Sequence, residues 1–130
     1  MDRKQLELFR KAYDNSVKKC IKGKDQNGKD IEEQTNWVFF ERATLEKLLA
    51  MTDPKTGGIK MYFGQYDQEN LGMIPLDRPL REDYIGRMSV ALSASNRTAQ
   101  GIEDIYLSDS SAEDQGLENG GKICPPECNP

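Results

Sequence analysis

Gly57-Gly58-Ile59-Lys60-Met61-Tyr62-Phe63-Gly64-Gln65-Tyr66 is the stretch on which the fold turns. Ile59, Met61 and Phe63 alternate with Lys60, Tyr62, Gly64 and Tyr66, the period of two that gives a strand one apolar and one wetter face. The preceding Asp53-Pro54-Lys55-Thr56-Gly57-Gly58 supplies the turn residues that start it. The stretch therefore reads as the central strand of a sheet, with Ile59, Met61 and Phe63 as core. A second strand is predicted over residues 85–95, with its core at 86–94. Met88, Val90, Leu92 and Ala94 share one face and Ser89, Ala91 and Ser93 the other. Consecutive strands usually pair, which lays Tyr62 and Tyr66 over the small residues of that second strand.

Outward from this pair, residues 3–22 read as a helix, because Leu6, Phe9, Tyr13, Val17, Cys20 and Ile21 recur every three or four positions. Cys20 on that stripe reads as a small buried hydrophobe. Residues 42–51 form a second helix with Leu45, Leu48 and Leu49 on one face, stopped by Asp53-Pro54. Trp37-Val38-Phe39-Phe40 reads as a short buried strand. Residues 102–107 read as a third strand at the sheet margin, where Glu103 and Asp104 suit exposure. The connection from 66 to 84 carries Leu71, Met73, Ile74 and Leu76, and so is expected to pack down rather than wave. The segment 22–30 is a surface loop with a turn at Asn27-Gly28. It does not read as a calcium loop, since its glycine falls at the wrong position and Asn36 stands where a bidentate Glu is needed. The expected fold is α+β: a small, mainly antiparallel sheet of about three to four strands with two helices on one face and a loosely ordered C-terminal tail. Residues 1–107 form the single domain, and 108–130 an acidic linker with a Cys-Pro-Pro-Glu-Cys tail.

The 130 residues carry 18 Lys and Arg against 22 Asp and Glu, a net charge of −4. That sign argues against nucleic acid and anionic membrane surfaces as partners. The charge is uneven: residues 1–24 hold eight Lys or Arg against three acids, and residues 103–130 one against seven. The chain opens on charged residues with no apolar run behind them, which predicts no signal peptide or membrane helix and hence a cytoplasmic protein. Three cysteines in that setting do not predict a disulfide framework.

Candidate sites are few. No histidine is present, Ser89 and Ser93 have no evident base, and the carboxylates show no spacing that gathers two around a substrate, so no catalytic residue is assigned. The wet face offers Tyr62, Gln65 and Tyr66 as contact residues, with Arg78, Arg81 and Arg87 close in sequence, a set suited to binding another protein. Cys124 and Cys128 flank a diproline. As zinc ligands they are two soft donors short of a closed site, with Cys20 as a third candidate. As a disulfide they need Cα atoms within about 7 Å, whereas a polyproline path spans about 12 Å, so a turn at Pro126-Glu127 is required. The plain reading is a tail in which Ile123 and the prolines dock on the core or stay loose. Gly120-Gly121 also has the form of a double-glycine cleavage site, without the apolar spacing upstream that such leaders carry. The leading expectation is a protein-binding or adaptor module. A thiol-redox or zinc protein using the tail cysteines stands second, and a small enzyme without histidine chemistry third.

The succession Trp37-Val38-Phe39-Phe40, the Leu45-Leu48-Leu49 helix, Gly58-Ile59-Lys60-Met61-Tyr62-Phe63-Gly64-Gln65-Tyr66, and the ending Asn119-Gly120-Gly121 to Cys124-Pro125-Pro126-Glu127-Cys128 resembles a group of small uncharacterised bacterial proteins. The resemblance covers about half the chain. It implies a coherent folded unit and brings no activity, ligand or site residue with it.

Overall fold

The computed structural model describes residues 1–105 and 116–129. Its elements in order are α1 (Arg3–Asn15), α2 (Val17–Cys20), β1 (Trp37–Phe39), α3 (Arg42–Ala50), β2 (Gly57–Gln65), single 3-10 turns at Leu71–Met73 and Arg81–Tyr84, β3 (Met88–Thr98), β4 (Gly101–Asp104), β5 (Leu117–Glu118) and β6 (Lys122–Cys124). The fold is α+β as expected, with all strand pairs antiparallel. One sheet runs β2-β3-β4 with β5 also on β3, and a two-stranded sheet joins β1 to β6. The acidic linker 108–115 and positions 106 and 107 of the predicted third strand lie outside the described residues.

β2 pairs with β3 as expected, in a register that sets Tyr62 opposite Ala91 and Gly64 opposite Ser89. What differs is which strand is central. β3, eleven residues long, is bordered by β2 on one side and by β4 and β5 on the other, and among the described residues β2 is an edge strand. Alternation along a strand reports which face is buried and carries nothing about lateral neighbours. The bet on Ile59, Met61 and Phe63 as core is corrected with it. Ile59 packs against Leu48, Leu92 and Ala94, but Met61 is 59% exposed and Phe63 79%. Leu48 of α3 packs on β3: Leu92, opposite Met61, is buried in its cluster and Val90, opposite Phe63, packs against it, so Met61 and Phe63 are left open by their place on the outer strand. Leu48 is fully buried there, while Leu49 faces out.

A second core is formed by Tyr66, Ile74, Tyr84 and Ile123, with Val38 and Leu71 against it. It joins the connection after β2, which does pack down, to the C-terminal segment. Ile123 is completely buried, and residues 116–129, expected within a loose tail, are held through β5 and β6. Gly121 permits the approach, because a Cβ there would lie 2.4 Å from Val38 Cγ1. Residues 125–126 turn the chain, with Glu127 N donating to Ile123 O at 2.8 Å, and a Cys124–Cys128 disulfide closes it at a Cα separation of 4.5 Å. The zinc assignment of Cys124 and Cys128 gives way to this bond, since a disulfide sulfur is not a thiolate donor.

The first helix is capped by Asp2 and Gln5, each accepting the other's backbone N–H. It breaks at Ser16 and resumes as α2, and no residue of either segment is buried. Its apolar stripe is thus not core: Phe9 is 68% exposed and Val17 58%, and Cys20 is exposed rather than buried. α1 is fastened mainly by polar bonds, the Tyr13 hydroxyl donating to Thr35 O at 2.6 Å and Lys18 reaching Glu33 and Asn36. β1 forms as predicted, but only Val38 turns inward, with Trp37 and Phe39 exposed. The 22–30 loop is a turn closed by a Lys24–Asp30 bridge, and Gly28 there takes a positive φ of 79°.

Candidate functional site

On the wet face of the sheet, β2, β3 and β4 bring Lys60, Tyr62, Ser93, Ser95 and Asp104 together. Asp104 is opposite Ser95 in the β3–β4 ladder, and its side chain meets those of Ser93 and Ser95 on β3 and of Lys60 and Tyr62 on β2. Read as a margin residue suited to exposure, it is in fact 7% exposed. Its Oδ1 accepts from Ser93 Oγ at 2.6 Å and Ser95 Oγ at 3.0 Å and lies 3.2 Å from Lys60 Nζ, while the Tyr62 hydroxyl donates to Oδ2. Burial alone would raise the pKa of this carboxyl. The hydrogen bonds from Ser93, Tyr62, Ser95 and Lys60 outweigh it and bring the pKa to about 2. The bond to Asp104 pushes the Tyr62 hydroxyl up. Lys60 is also raised, its desolvation being outweighed by the bonds to Tyr62 and Asp104. Chemically the cluster is saturated. Ser93 is completely buried and donates to a carboxylate too acidic to act as a base at neutral pH, so the group reads as a structural lock between strands.

Tyr62, Gln65 and Tyr66 border a depression of about 160 Å³ with Gly64, Ser89, Ala91, Asn70, Met73 and Asn119. Their roles differ. Tyr62 is 42% exposed with its hydroxyl on Asp104, whereas Tyr66 is 4% exposed, its hydroxyl donating to Asn119 O at 2.7 Å and its ring 5.9 Å from that of Tyr84. Tyr66 is therefore core, not surface, because β2 ends at Gln65 and the chain turns in beneath the 66–84 connection. Gln65 Nε2 donates to Lys22 O and Gly86 O at 2.9 Å each, tying the N-terminal loop to the start of β3. Ser89 Oγ, buried, has no partner among the described residues.

The three arginines are not gathered with the tyrosines into a surface. Arg78 donates to Gly120 O at 2.8 Å and Gly121 O at 3.2 Å and lies 4.0 Å from Glu127. Arg81 donates to Ile74 O and Leu71 O, and Arg87 to Asp83 O and Glu33 O. Each ties backbone carbonyls of the connecting segments together, Leu71 O being shared with Ile74 N, a role suited to the forked guanidinium. Tyr84 completes the Arg78 clasp: its hydroxyl donates to Glu127 and accepts from Arg78 and from Ile123 N, and burial together with the Glu127 bond pushes its pKa up.

The open feature that sequence reasoning missed lies on the other face. Where α3 stops, α1 stands off the sheet and leaves an apolar groove of about 780 Å³, lined by Phe9, Arg10, Tyr13, Val17, Trp37, Val38, Phe63 and Met88 among others. Phe9, Val17, Trp37 and Phe63 are all more than two-fifths exposed there. The residues were legible as apolar. Their spacing fitted core equally well, and only the failure of one short helix to reach them leaves them open. Among the described residues, Arg3, Lys4, Arg10 and Lys11 of α1 form no ion pair. No group of three or more His, Cys, Asp or Glu residues able to hold a metal ion occurs among the described residues, and no described helix is long and apolar enough to cross a membrane. No family model, curated protein or solved structure matches this chain.

Proposed function

We propose that this protein is a protein-binding module whose groove between α1 and the Trp37–Phe63 side of the sheet receives an amphipathic, acidic segment of another protein. The observation that carries this reading is the groove itself, with large apolar side chains held open on a folded frame. Apolar patches of this kind on soluble domains mark interaction sites. The chemistry of the occupant follows from the rim. Arg10 lines the groove, and the unpaired Arg3, Lys4 and Lys11 lie on the same helix, so a segment with Leu or Phe on one face and Glu or Asp beside it meets both apolar surface and complementary charge.

Trp37, the single tryptophan, reports on the site directly. Titration with a synthetic amphipathic peptide of Leu, Phe and Glu is expected to shift Trp37 emission to the blue. The same peptide with Lys in place of Glu is expected to bind far more weakly. Phe9→Glu, at an exposed position, should abolish the shift while leaving the circular dichroism unchanged. Unaltered emission with both peptides, or equal binding of both, refutes the reading.

The cytoplasmic setting expected from the N-terminus is also open to test, because a disulfide is at home in an oxidising compartment. In a reducing cytosol freshly isolated chains should show three reactive thiols on unfolding. If the Cys124–Cys128 bond forms where the protein works, only Cys20 should react.

A further inference from the structure

β2 offers a second, independent surface in its backbone. Its inner edge pairs with β3, and no described strand pairs with the other side. Neighbouring bonds identify the outward groups. Tyr66 N donates to Arg87 O and Thr56 O accepts from Arg97 N, so even-numbered residues face β3. Gly57 N donates to Asp53 O and Gln65 O accepts from Asn70 Nδ2, so odd-numbered residues face away. Those two bonds close the ends of the edge. Between them the N–H and C=O groups of Ile59, Met61 and Phe63 point outward with no partner among the described residues.

We infer that β2 pairs antiparallel with β2 of a second copy of this chain about a two-fold axis at Met61. The open edge is palindromic about that residue. Ile59 then lies opposite the second copy's Phe63, and Met61 opposite its own equivalent, so every open N–H meets an open C=O. The side chains agree with the register. On one face the exposed Met61 of each copy meets its equivalent across the seam. On the other, Lys60 is opposite Tyr62, so no like charges face one another, and Gly58 is opposite Gly64, where neither has a side chain to clash. The devices that usually blunt an edge are missing. β2 has no proline, and its one charged residue, Lys60, is drawn across the sheet to Asp104 and Ile102 O instead of guarding the seam. Phe63 borders both this edge and the groove, but the edge acts through main-chain groups that the groove does not use.

Light scattering on the full chain should give twice the 14.7 kDa monomer mass. Met61→Pro should give a monomer with unchanged circular dichroism, because the lost N–H points away from β3 and proline is tolerated on such an edge. In a Cys20→Ser background, mild oxidation of Met61→Cys should link two chains covalently. Phe63→Cys should not, since the two copies of residue 63 lie on opposite sides of the axis. The cross-linking arm decides even if Met61→Pro does not fold. A monomer at millimolar concentration, or equal cross-linking at 61 and 63, overturns the inference. Loss of the dimer leaves the Trp37 peptide titration intact, and Phe9→Glu leaves the dimer intact, so the two readings fail separately.

Discussion

Replacing Asp104 with Asn isolates the charge at the centre of the β2–β3–β4 lock. The amide keeps the shape and one acceptor for the Ser93 and Ser95 hydroxyls, so what is lost is chiefly the stabilisation that lowers the carboxyl pKa from 3.8 to about 2. At roughly 1.4 kcal/mol per pKa unit, that displacement corresponds to about 2 kcal/mol of folding free energy at neutral pH. The depressed folded-state pKa fixes the sign. In this window the unfolded chain binds more protons than the folded one, so the wild-type advantage is complete above 3.8 and disappears as the pH falls from 3.8 through about 2. Urea unfolding across that range, on wild type and Asp104→Asn in parallel, reads the effect as a gap between midpoints that closes on acidification. The exposed carboxylates whose pKa values are also lowered, Asp25, Asp53 and Glu33, are common to both chains and cancel in the difference. Asp104→Ala should cost more, by about 1 to 3 kcal/mol per stranded hydroxyl, towards the low end because Ser95 Oγ already reaches Ser93 O at 3.2 Å. A gap that stays constant over the whole pH range, or no gap at neutral pH, refutes the reading of Asp104 as an ionised lock.

Three further outcomes are expected. Ser89→Ala should raise stability by about 1 kcal/mol, since it removes a buried hydroxyl without a partner, and thermal unfolding checks it. Leu48→Ala should cost about 2 to 5 kcal/mol, whereas Phe63→Ala should change monomer stability by less than about 0.5 kcal/mol, a contrast best measured by denaturant unfolding in a Met61→Pro background. Reduction of Cys124–Cys128, or Cys→Ser at both, should lower stability by about 2 kcal/mol through the entropy of the short loop the bond closes, and thiol titration should find Cys20 alone in the oxidised chain and all three cysteines after reduction.

The pairing of β2 with β3 was legible because alternation and small-residue placement report strand faces directly. The pattern puts Tyr62 on the face of Ser89, Ala91 and Ser93, and the structure sets it opposite Ala91. The role of Asp104 left a fainter trace. A strand that carries Ser89, Ser93 and Ser95 on one face needs acceptors there, and an acid on the next strand supplies one, yet in an exposed-looking Glu-Asp pair it passes for a solvated margin. Arg78, Arg81 and Arg87 were read as surface because sequence shows their charge and hides the carbonyls they hold. The C-terminal segment was obscured by its polar composition. Its signals were Ile123 and Gly121, the first filling the Tyr66–Tyr84 core and the second letting the backbone pass Val38 and Phe40.

The opening stretch shows why a correct local reading can misplace function. Sequence places Ile59, Met61 and Phe63 on one face, and that is where they are. Burial is then decided by something outside the strand: a helix whose Leu48 packs on Leu92 and Ala94 of β3 and leaves the outer strand open at Met61, and another fastened at Tyr13 and Lys18 that stands away instead of closing the gap. An apolar face left half covered beside an unpaired edge is costly in isolation, because both features favour association. The two proposals divide that cost. The groove draws on the side chains of Phe9, Trp37 and Phe63, and the seam on the main chain of Ile59, Met61 and Phe63. Both arise from the same fact, that β2 lies at the margin of its sheet.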